Sequence, residues 1–381
     1  MKVILEAQYA CAPNPVGVPN YAYQLIRSLL KRNQNNYELV FFDKDRERGN
    51  REFINKHFGG YRVPIHECND LDYRTIINDK NAFKEKSYNE YTGVYGDVFH
   101  FMHVIFPNNI AGKTVVTIHD ATPLVVPELC NTEWTESFNI AFEKIKRIKP
   151  TIITDSESSK NDIAHFSGIN ADKIHVIPLG FDEENCNTEY DPELLKKMGI
   201  NSPYFLYLGG IYQNKNVLSI FNAFHLIAEK HPDIQLIIAG KPEPQSEYIF
   251  TQIKESPHYG SRILLPGYVT NEQKNALFSN ALAFVFPSLY EGFGLPVLEA
   301  MARGCPVITS NVSSLPEVAG DAAILVNPND TEQLAFEMER IASSDTLQVE
   351  LKQKGLEQSK KFSWDKTAEM TEQVYKLILE H

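Results

Sequence analysis

The sequence predicts an α/β protein built from two successive parallel-sheet domains. Short apolar, β-branched runs recur along all 381 residues, and helical patterns fall between them. The alternation lapses once, at a polar stretch near the middle, and then restarts. Strands that alternate with helices imply parallel sheets covered on both faces, and a chain of this length suits two domains that each bury a core.

In the first half the predicted strands are VILEA (3–7), YELVFF (37–42), DVFHF (97–101), TVVTIH (114–119), TIIT (151–154) and KIHVIPL (173–179). Tyr21 to Leu30 carries apolar residues at helical spacing. Glu133 to Arg147 does the same, with Trp134, Phe138, Phe142 and Ile145 on one side. Ser156 is placed to cap a helix ending near Phe166. The polar run 182–192, DEENCNTEYDP, reads as the linker between domains. Beyond it the predicted strands are YFLYLG (204–209), IQLIIAG (234–240), RILLPGYV (262–269), ALAFVFP (281–287), PVIT (306–309) and AILV (323–326), with a helix over Val217 to Glu229. The tail is helical from Asp330 and breaks near Phe362, where Ser363 is placed to cap a last helix. The domains expected are therefore 1–181 and 182–361, followed by a closing helix over 362–381.

Composition narrows the function. The formal net charge is −12, with 43% hydrophobic and 23% charged residues. An acidic chain of this kind is a poor nucleic-acid binder, because phosphate attraction dominates that affinity. An anionic ligand would need a local positive site against the global field. The five cysteines (Cys11, Cys68, Cys130, Cys186, Cys305) show neither zinc nor redox spacing, which fits a reduced, cytoplasmic setting. The apolar N-terminal run is too short for a signal segment, and no run approaches membrane-spanning length.

The strongest chemical signal is FPSLYEGFGLPVLEAMARGCPVITS, residues 286–310. A buried strand ends, a loop carries Glu291, Gly292, Phe293 and Gly294, and Pro296 opens a helix where its missing N–H costs nothing. Glycines before a helix start expose backbone N–H groups to an anion, and the helix dipole adds to the attraction. Glu299 follows about one turn into the helix. One carboxylate can reach past a phosphate toward a sugar, and the other can accept both hydroxyls of a ribose diol. The same residues also read as a plain strand-turn-helix with two surface glutamates. A dehydrogenase fingerprint is disfavoured, because Val297 stands where its third glycine belongs.

The spacing of Glu291 and Glu299, with GFGLP between, resembles the E-x7-E signature of the family 4 glycosyltransferases, and residues 304–328 resemble that family almost without a break. GVPNYAYQL (17–25) is similar to its N-terminal glycine loop and helix, and TIHDATPL (117–124) to its His-Asp strand end. TDSESSKNDI (154–163), LGGIYQNKN (208–216) and FSWDKTAEM (362–370) occupy the expected places, the last as a helix that returns to the first domain. The resemblance implies the GT-B fold, two Rossmann-like domains facing a cleft. The acceptor would bind the first domain and a nucleotide diphosphate sugar the second. It also implies transfer with retention of anomeric configuration, without a metal or other cofactor.

The site residues that the resemblance implies are His119, Lys215 and Glu291 at the reaction centre. Gly17, Gly210, Asn214, Gly292, Phe293, Gly294, Leu295 and Glu299 would bind the donor. Lys215 matches the family's phosphate lysine; about 4 Å from a phosphate charge it is worth roughly 4 kcal/mol before its own desolvation. Many relatives carry an arginine in this loop. Here Gly210 and Asn214 hold the candidate positions, which leaves Arg262, Arg303 or a first-domain residue to compensate. His119 at a strand end would reach the sugar or diphosphate; a lone histidine there is more often structural, so this role rests on the resemblance.

Two D-x-D triplets, Asp43–Asp45 and Asp70–Asp72, read as solvated and loop segments, and no metal is assigned to them. Tyr61, Tyr73, Tyr88, Tyr91 and Tyr95 could stack on an acceptor sugar or simply pack. Lys144, Lys146, Arg147 and Lys149 near a helix end suit either the helix dipole or an anionic membrane surface. The expected partners are thus a nucleotide sugar and a saccharide or polyprenyl-linked saccharide acceptor, with any membrane contact peripheral and at the inner face. The texture after the glutamates resembles mannosyl- and rhamnosyltransferases, so mannose from a GDP-sugar is favoured over UDP- or dTDP-sugars. The alternatives are a non-catalytic nucleotide-sugar-binding subunit, which the missing arginine favours, and a sugar-nucleotide epimerase or a phosphorylase on the same fold.

Overall fold

The computed structural model describes residues 1–11, 17–42, 50–68, 86–181, 186, 190–241 and 246–380. Both D-x-D triplets, Tyr73 and most of the 182–192 linker lie outside the described residues. The chain divides into two compact units: residues 1–180 together with 363–381, and residues 181–362.

The first unit is a seven-stranded, all-parallel sheet. Its strands are β1 (Lys2–Glu6), β2 (Asn36–Phe42), β3 (Ile65–Cys68), β4 (Val98–Phe101), β5 (Lys113–Thr117), β6 (Thr151–Thr154) and β7 (Ile174–Val176), in the order β3-β2-β1-β4-β5-β6-β7. The edge strand β3, IHEC, has no apolar run to betray it, because it pairs with β2 alone and carries two polar side chains. β7 is shorter than expected, since Pro178 has no N–H to extend the ladder. Ser156 caps the helix Glu157–Ser167 by accepting the Ser159 N–H at 3.1 Å. In the helix Thr132–Ile148, Phe138, Phe142 and Ile145 are buried in the core cluster with Trp134 against it, as their spacing requires.

The last helix, Trp364–Glu380, belongs to this first unit although it is last in sequence. Ser363 accepts the Lys366 N–H at its start. Polar side chains at intervals along the helix fix its seat. Arg32 reaches Asp365 and Glu372, each at 3.1 Å, and the Tyr37 hydroxyl donates to Glu372 at 2.7 Å. Thr367 bonds the Pro178 carbonyl at 2.8 Å. Deeper in, a buried chain runs Tyr21–Thr117–His100–Tyr375, with links of 2.9, 2.8 and 2.6 Å.

The second unit is a six-stranded parallel sheet in the order β10-β9-β8-β11-β12-β13. Its strands are β8 (Tyr204–Leu208), β9 (Gln235–Ala239), β10 (Ile263–Gly267), β11 (Ala283–Phe286), β12 (Val307–Ser310) and β13 (Ile324–Val326). Pro266 is tolerated because β10 is an edge strand, and its register to β9 breaks between Leu264 and Gly267. The central strands are buried on both faces, which is why they read as continuous apolar runs. Among the described residues no helix is long and apolar enough to cross a membrane.

Tyr375→Phe would leave a buried His100 nitrogen without its partner. It is expected to destabilise the protein by about 1–3 kcal/mol in chemical denaturation; a variant as stable as the parent would remove this chain from the account of how the last helix is held.

Candidate functional site

The site is assembled at the ends of two neighbouring strands of the second unit. β8 ends at Leu208 and runs through a loop into the helix Val217–Ala228; β11 ends at Phe286 and runs through a loop into the helix Leu295–Ala302. β8 and β11 pair directly, so the two loops lie side by side, and a set of polar contacts joins them. The Leu289 N–H donates to the Asn214 carbonyl at 2.8 Å, and the Asn214 amide donates to the Tyr290 carbonyl at 3.3 Å. The Asn216 amide donates to Pro287 and Pro328 carbonyls. At the centre Lys215 Nζ lies 2.5 Å from Glu291 Oε1, with the ammonium 5.5 Å from the centre of the Phe286 ring.

The second loop is also fixed from the β12 side. Ser313 accepts the Glu291 N–H at 3.0 Å, and the Ser314 hydroxyl donates to the carbonyls of Glu291 and Phe293. Gly294 caps the helix at φ 110°, a conformation a side chain would strain, and a Cβ there would meet Leu315 at 2.8 Å. Val297 and Leu298 turn their N–H groups back to the Gly294 carbonyl, and Pro296 has none. The helix therefore starts just after Glu291 with its positive dipole end toward the loop, an arrangement that favours negative charge there.

The donor residues expected in the second half of the chain are thus brought together, though their roles divide, whereas Gly17 lies in the first unit. Lys215, Glu291, Gly292, Phe293, Gly294 and Leu295 form one constellation. The Phe293 ring is buried, edge-on to Phe362 at 5.8 Å, so it anchors the loop. The side chain of Asn214 serves as a tie between loops. Gly210 leaves room for Tyr212, whose ring would stand 2.4 Å from a Cβ there, and its carbonyl accepts the Tyr207 hydroxyl. Glu299 sits on the helix as expected, and its Oε1 is engaged at 2.9 Å by Lys274, a residue the sequence reading missed. No spacing signal marked it, since the buried positions of its helix, Asn275 to Phe278, are consecutive and form no stripe.

The two arginines expected to replace the missing loop arginine do not. Arg262 donates to three backbone carbonyls, Ile234, Ala228 and His231, and packs over Phe224. Arg303 is spent on Asn275 and the Glu299 carbonyl and packs over Phe278. Both side chains satisfy helix and strand ends, which periodicity cannot reveal.

In the first unit, Gly17 caps the helix Val18–Arg32 at φ 58°, where only glycine is unstrained. His119 lies beyond the end of β5, with Nδ1 2.8 Å from Asp155 Oδ2 and Nε2 3.1 Å from the Met102 carbonyl. The Tyr21 ring stands edge-on to it at 4.6 Å. Burial opposes a charge on His119, but the Asp155 carboxylate and the Met102 carbonyl outweigh it and raise its pKa. Asp155 is also raised, by burial first, with His119 pulling it back. The pair therefore holds its shared proton, and this contribution to stability is present below the ordinary histidine value and lost as pH rises through the raised one. Asp155 was another residue the sequence reading did not single out.

Other expectations change as well. Tyr88 is fully buried against Phe99 and Phe101 and cannot stack on a sugar, whereas Tyr61 and Tyr95 are exposed. Lys144 is buried with its ammonium on the Phe106 carbonyl, Lys146 pairs with Glu143, and Arg147 donates to Asn108. Most of that basic helix end is thus engaged within the unit. None of the five cysteines is in a disulfide. Among the described residues no cluster of His, Cys, Asp and Glu could hold a metal ion.

Two successive parallel-sheet units of this kind are the GT-B fold of glycosyltransferases. Sucrose-phosphate synthase from Thermosynechococcus elongatus shares this fold, with a TM-score of 0.74 at 19% identity over 100% of this chain and 99% of that one. Residues 191–358 match the family model described as glycosyl transferases group 1. It is similar to O-antigen chain mannosyltransferase B of Escherichia coli, 29% identical over 315 residues that span 80% of this chain and 79% of that protein. It is also similar to serotype-specific mannosyltransferase WbdA of Escherichia coli, 31% identical over 283 residues; these span 72% of this chain but 34% of WbdA.

Burial pushes His100 and His103, both in the first unit, down to about 3, and the charge on His119 adds to the effect. Between the ordinary histidine value and this one, the unfolded chain binds protons that the folded chain refuses. Each group then costs up to about 1.4 kcal/mol of stability per unit of falling pH. His103→Asn removes one such group. The melting temperature of the variant relative to the parent is expected to rise as pH falls from about 7 to 4; a difference that stays constant over this range would contradict the assignment.

Proposed function

We propose that the protein is a retaining hexosyltransferase that moves mannose from GDP-mannose to a glycan or a polyprenyl-linked saccharide, at the cytoplasmic face of a membrane. The observation that carries the reading is the Lys215–Glu291 pair beside the glycine-capped start of the helix Leu295–Ala302. Breaking the donor's glycosidic bond leaves charge on the departing diphosphate. A lysine and a helix start that are already in place stabilise that charge without reorganising. Lys215 exchanges its carboxylate partner for the diphosphate, and Glu291 is then released toward the transferred sugar. Glu299 takes the ribose. Retention follows from attack on the face the diphosphate leaves, with a donor phosphate oxygen accepting the acceptor's proton. The choice of mannose is supported by the names of the two Escherichia coli relatives.

A second reading, a nucleotide-sugar-binding subunit without turnover, is favoured by one observation: Arg262 and Arg303 are both committed to other contacts, so the cationic clamp rests on lysine. Mannose transfer from GDP-mannose, assayed over a saccharide acceptor panel in the presence of a chelator, separates the two. Turnover is expected to survive the chelator, the product to keep the donor's anomeric configuration, and Lys215→Ala to slow transfer roughly a hundred- to a thousandfold. Nucleotide binding without turnover on any acceptor would favour the second reading, and a near-normal rate in Lys215→Ala would remove that residue from the mechanism.

A further inference from the structure

The ion pair between Lys274 and Glu299 lies on the helix carrying the donor motif, yet Lys274 belongs to neither glutamate signature nor lysine loop. Its Nζ is 2.9 Å from Glu299 Oε1, and the two side chains are only 19% and 20% exposed. Lys274 is firmly mounted. Its helix, Asn271–Asn280, is fixed at the start by Thr270 and Gln273, which cap each other's backbone N–H groups. The next residue, Asn275, is buried and accepts Arg303 Nε at 2.6 Å; Arg303 in turn donates to the Glu299 backbone carbonyl at 2.9 Å. The neighbouring helix thus touches Glu299 directly at its carboxylate through Lys274, and Asn275 holds Arg303, the residue that ties the Glu299 backbone within its own helix.

The chemistry of this arrangement differs from that of a lone carboxylate. A free carboxylate accepts both hydroxyls of a vicinal diol, one on each oxygen. Here Oε1 already accepts from an ammonium, so Oε2 is the oxygen left to accept a hydroxyl proton. The ammonium has three N–H groups, and those not spent on Glu299 can donate to the oxygen of the adjacent hydroxyl. The pair thereby offers a diol one acceptor and one donor. It also neutralises Glu299, which would otherwise add negative charge near a diphosphate.

We propose that Lys274 is a positioning and specificity residue of the donor site, which holds Glu299 so that the pair together reads the ribose cis-diol of a nucleoside diphosphate. The proposal rests on the reading of Glu299 as the ribose carboxylate. It is tested by titration calorimetry of GDP and UDP, each also as its 2′-deoxy and 3′-deoxy form, against the parent, Lys274→Met, Lys274→Gln, Lys274→Arg and Glu299→Gln. The parent is expected to bind its preferred ribonucleotide about tenfold more tightly than at least one deoxy form. Lys274→Met and Lys274→Gln are expected to lose about tenfold in affinity for the ribonucleotide and most of that discrimination. Lys274→Arg should recover part of both. In turnover the loss should fall on the donor KM more than on kcat. Equal weakening of ribose and deoxyribose forms in Lys274→Met, or unchanged binding, overturns the proposal. If Glu299→Gln still weakens ribonucleotide binding in that case, the ribose reading survives without Lys274. If Glu299→Gln binds as the parent does, or the parent binds neither nucleotide, the ribose reading itself fails.

Discussion

The second unit's site depends on the contact between Lys215 and Glu291, which pairs opposite charges across two loops that backbone and asparagine ties bring side by side. β8 and β11 are neighbours in the sheet, but loops at strand ends are free to diverge. The polar ties from Asn214 and Asn216 set the two backbones against each other, and the ion pair closes the arrangement where a ligand would enter. Ser313 and Ser314 then hold the far side of the Glu291 loop, so that the helix behind it starts at a defined place. Position matters here more than charge count: a fixed lysine and a fixed helix start act on an anion without paying again for their own ordering.

The same logic extends one helix further. Glu299 faces a second lysine, so each of the two glutamates in the motif is matched by a cation from a different loop or helix. In a chain with an overall charge of −12, two unpaired carboxylates beside the helix start would add to the field that opposes an anion there, and the pairing removes that addition. The first unit solves a different problem. Its final helix returns from the end of the sequence and is seated by Arg32, Tyr37, Thr367 and the buried Tyr21–Thr117–His100–Tyr375 chain. Such a chain must be fully satisfied to be tolerated in a core, which gives the helix one seat rather than several.

Most of the fold was legible because parallel strands buried on both faces leave unbroken apolar runs; TIIT at 151–154 and YFLYL at 204–208 are examples. β3 was not, since an edge strand of four residues with two polar side chains has no such run. The donor motif was legible because glycine, proline and glutamate each have a local reason for their place. The partners of that motif were not. Arg262 and Arg303 carried the right charge, but backbone carbonyls for the first, and the Asn275 side chain with the Glu299 carbonyl for the second, had already claimed them. Lys274 and Asp155 were overlooked because their significance lies in what stands opposite, at Glu299 and His119, and one-dimensional spacing does not report that.

The central claim is that Lys215 and the start of the helix Leu295–Ala302 together form the diphosphate seat. The most direct measurement is a crystal structure of the protein grown with a nucleoside diphosphate and no divalent metal. The account predicts the diphosphate over the Gly294 and Leu295 backbone, with Lys215 turned from Glu291 onto a phosphate oxygen. A diphosphate bound elsewhere, with the Lys215–Glu291 pair undisturbed, would contradict it.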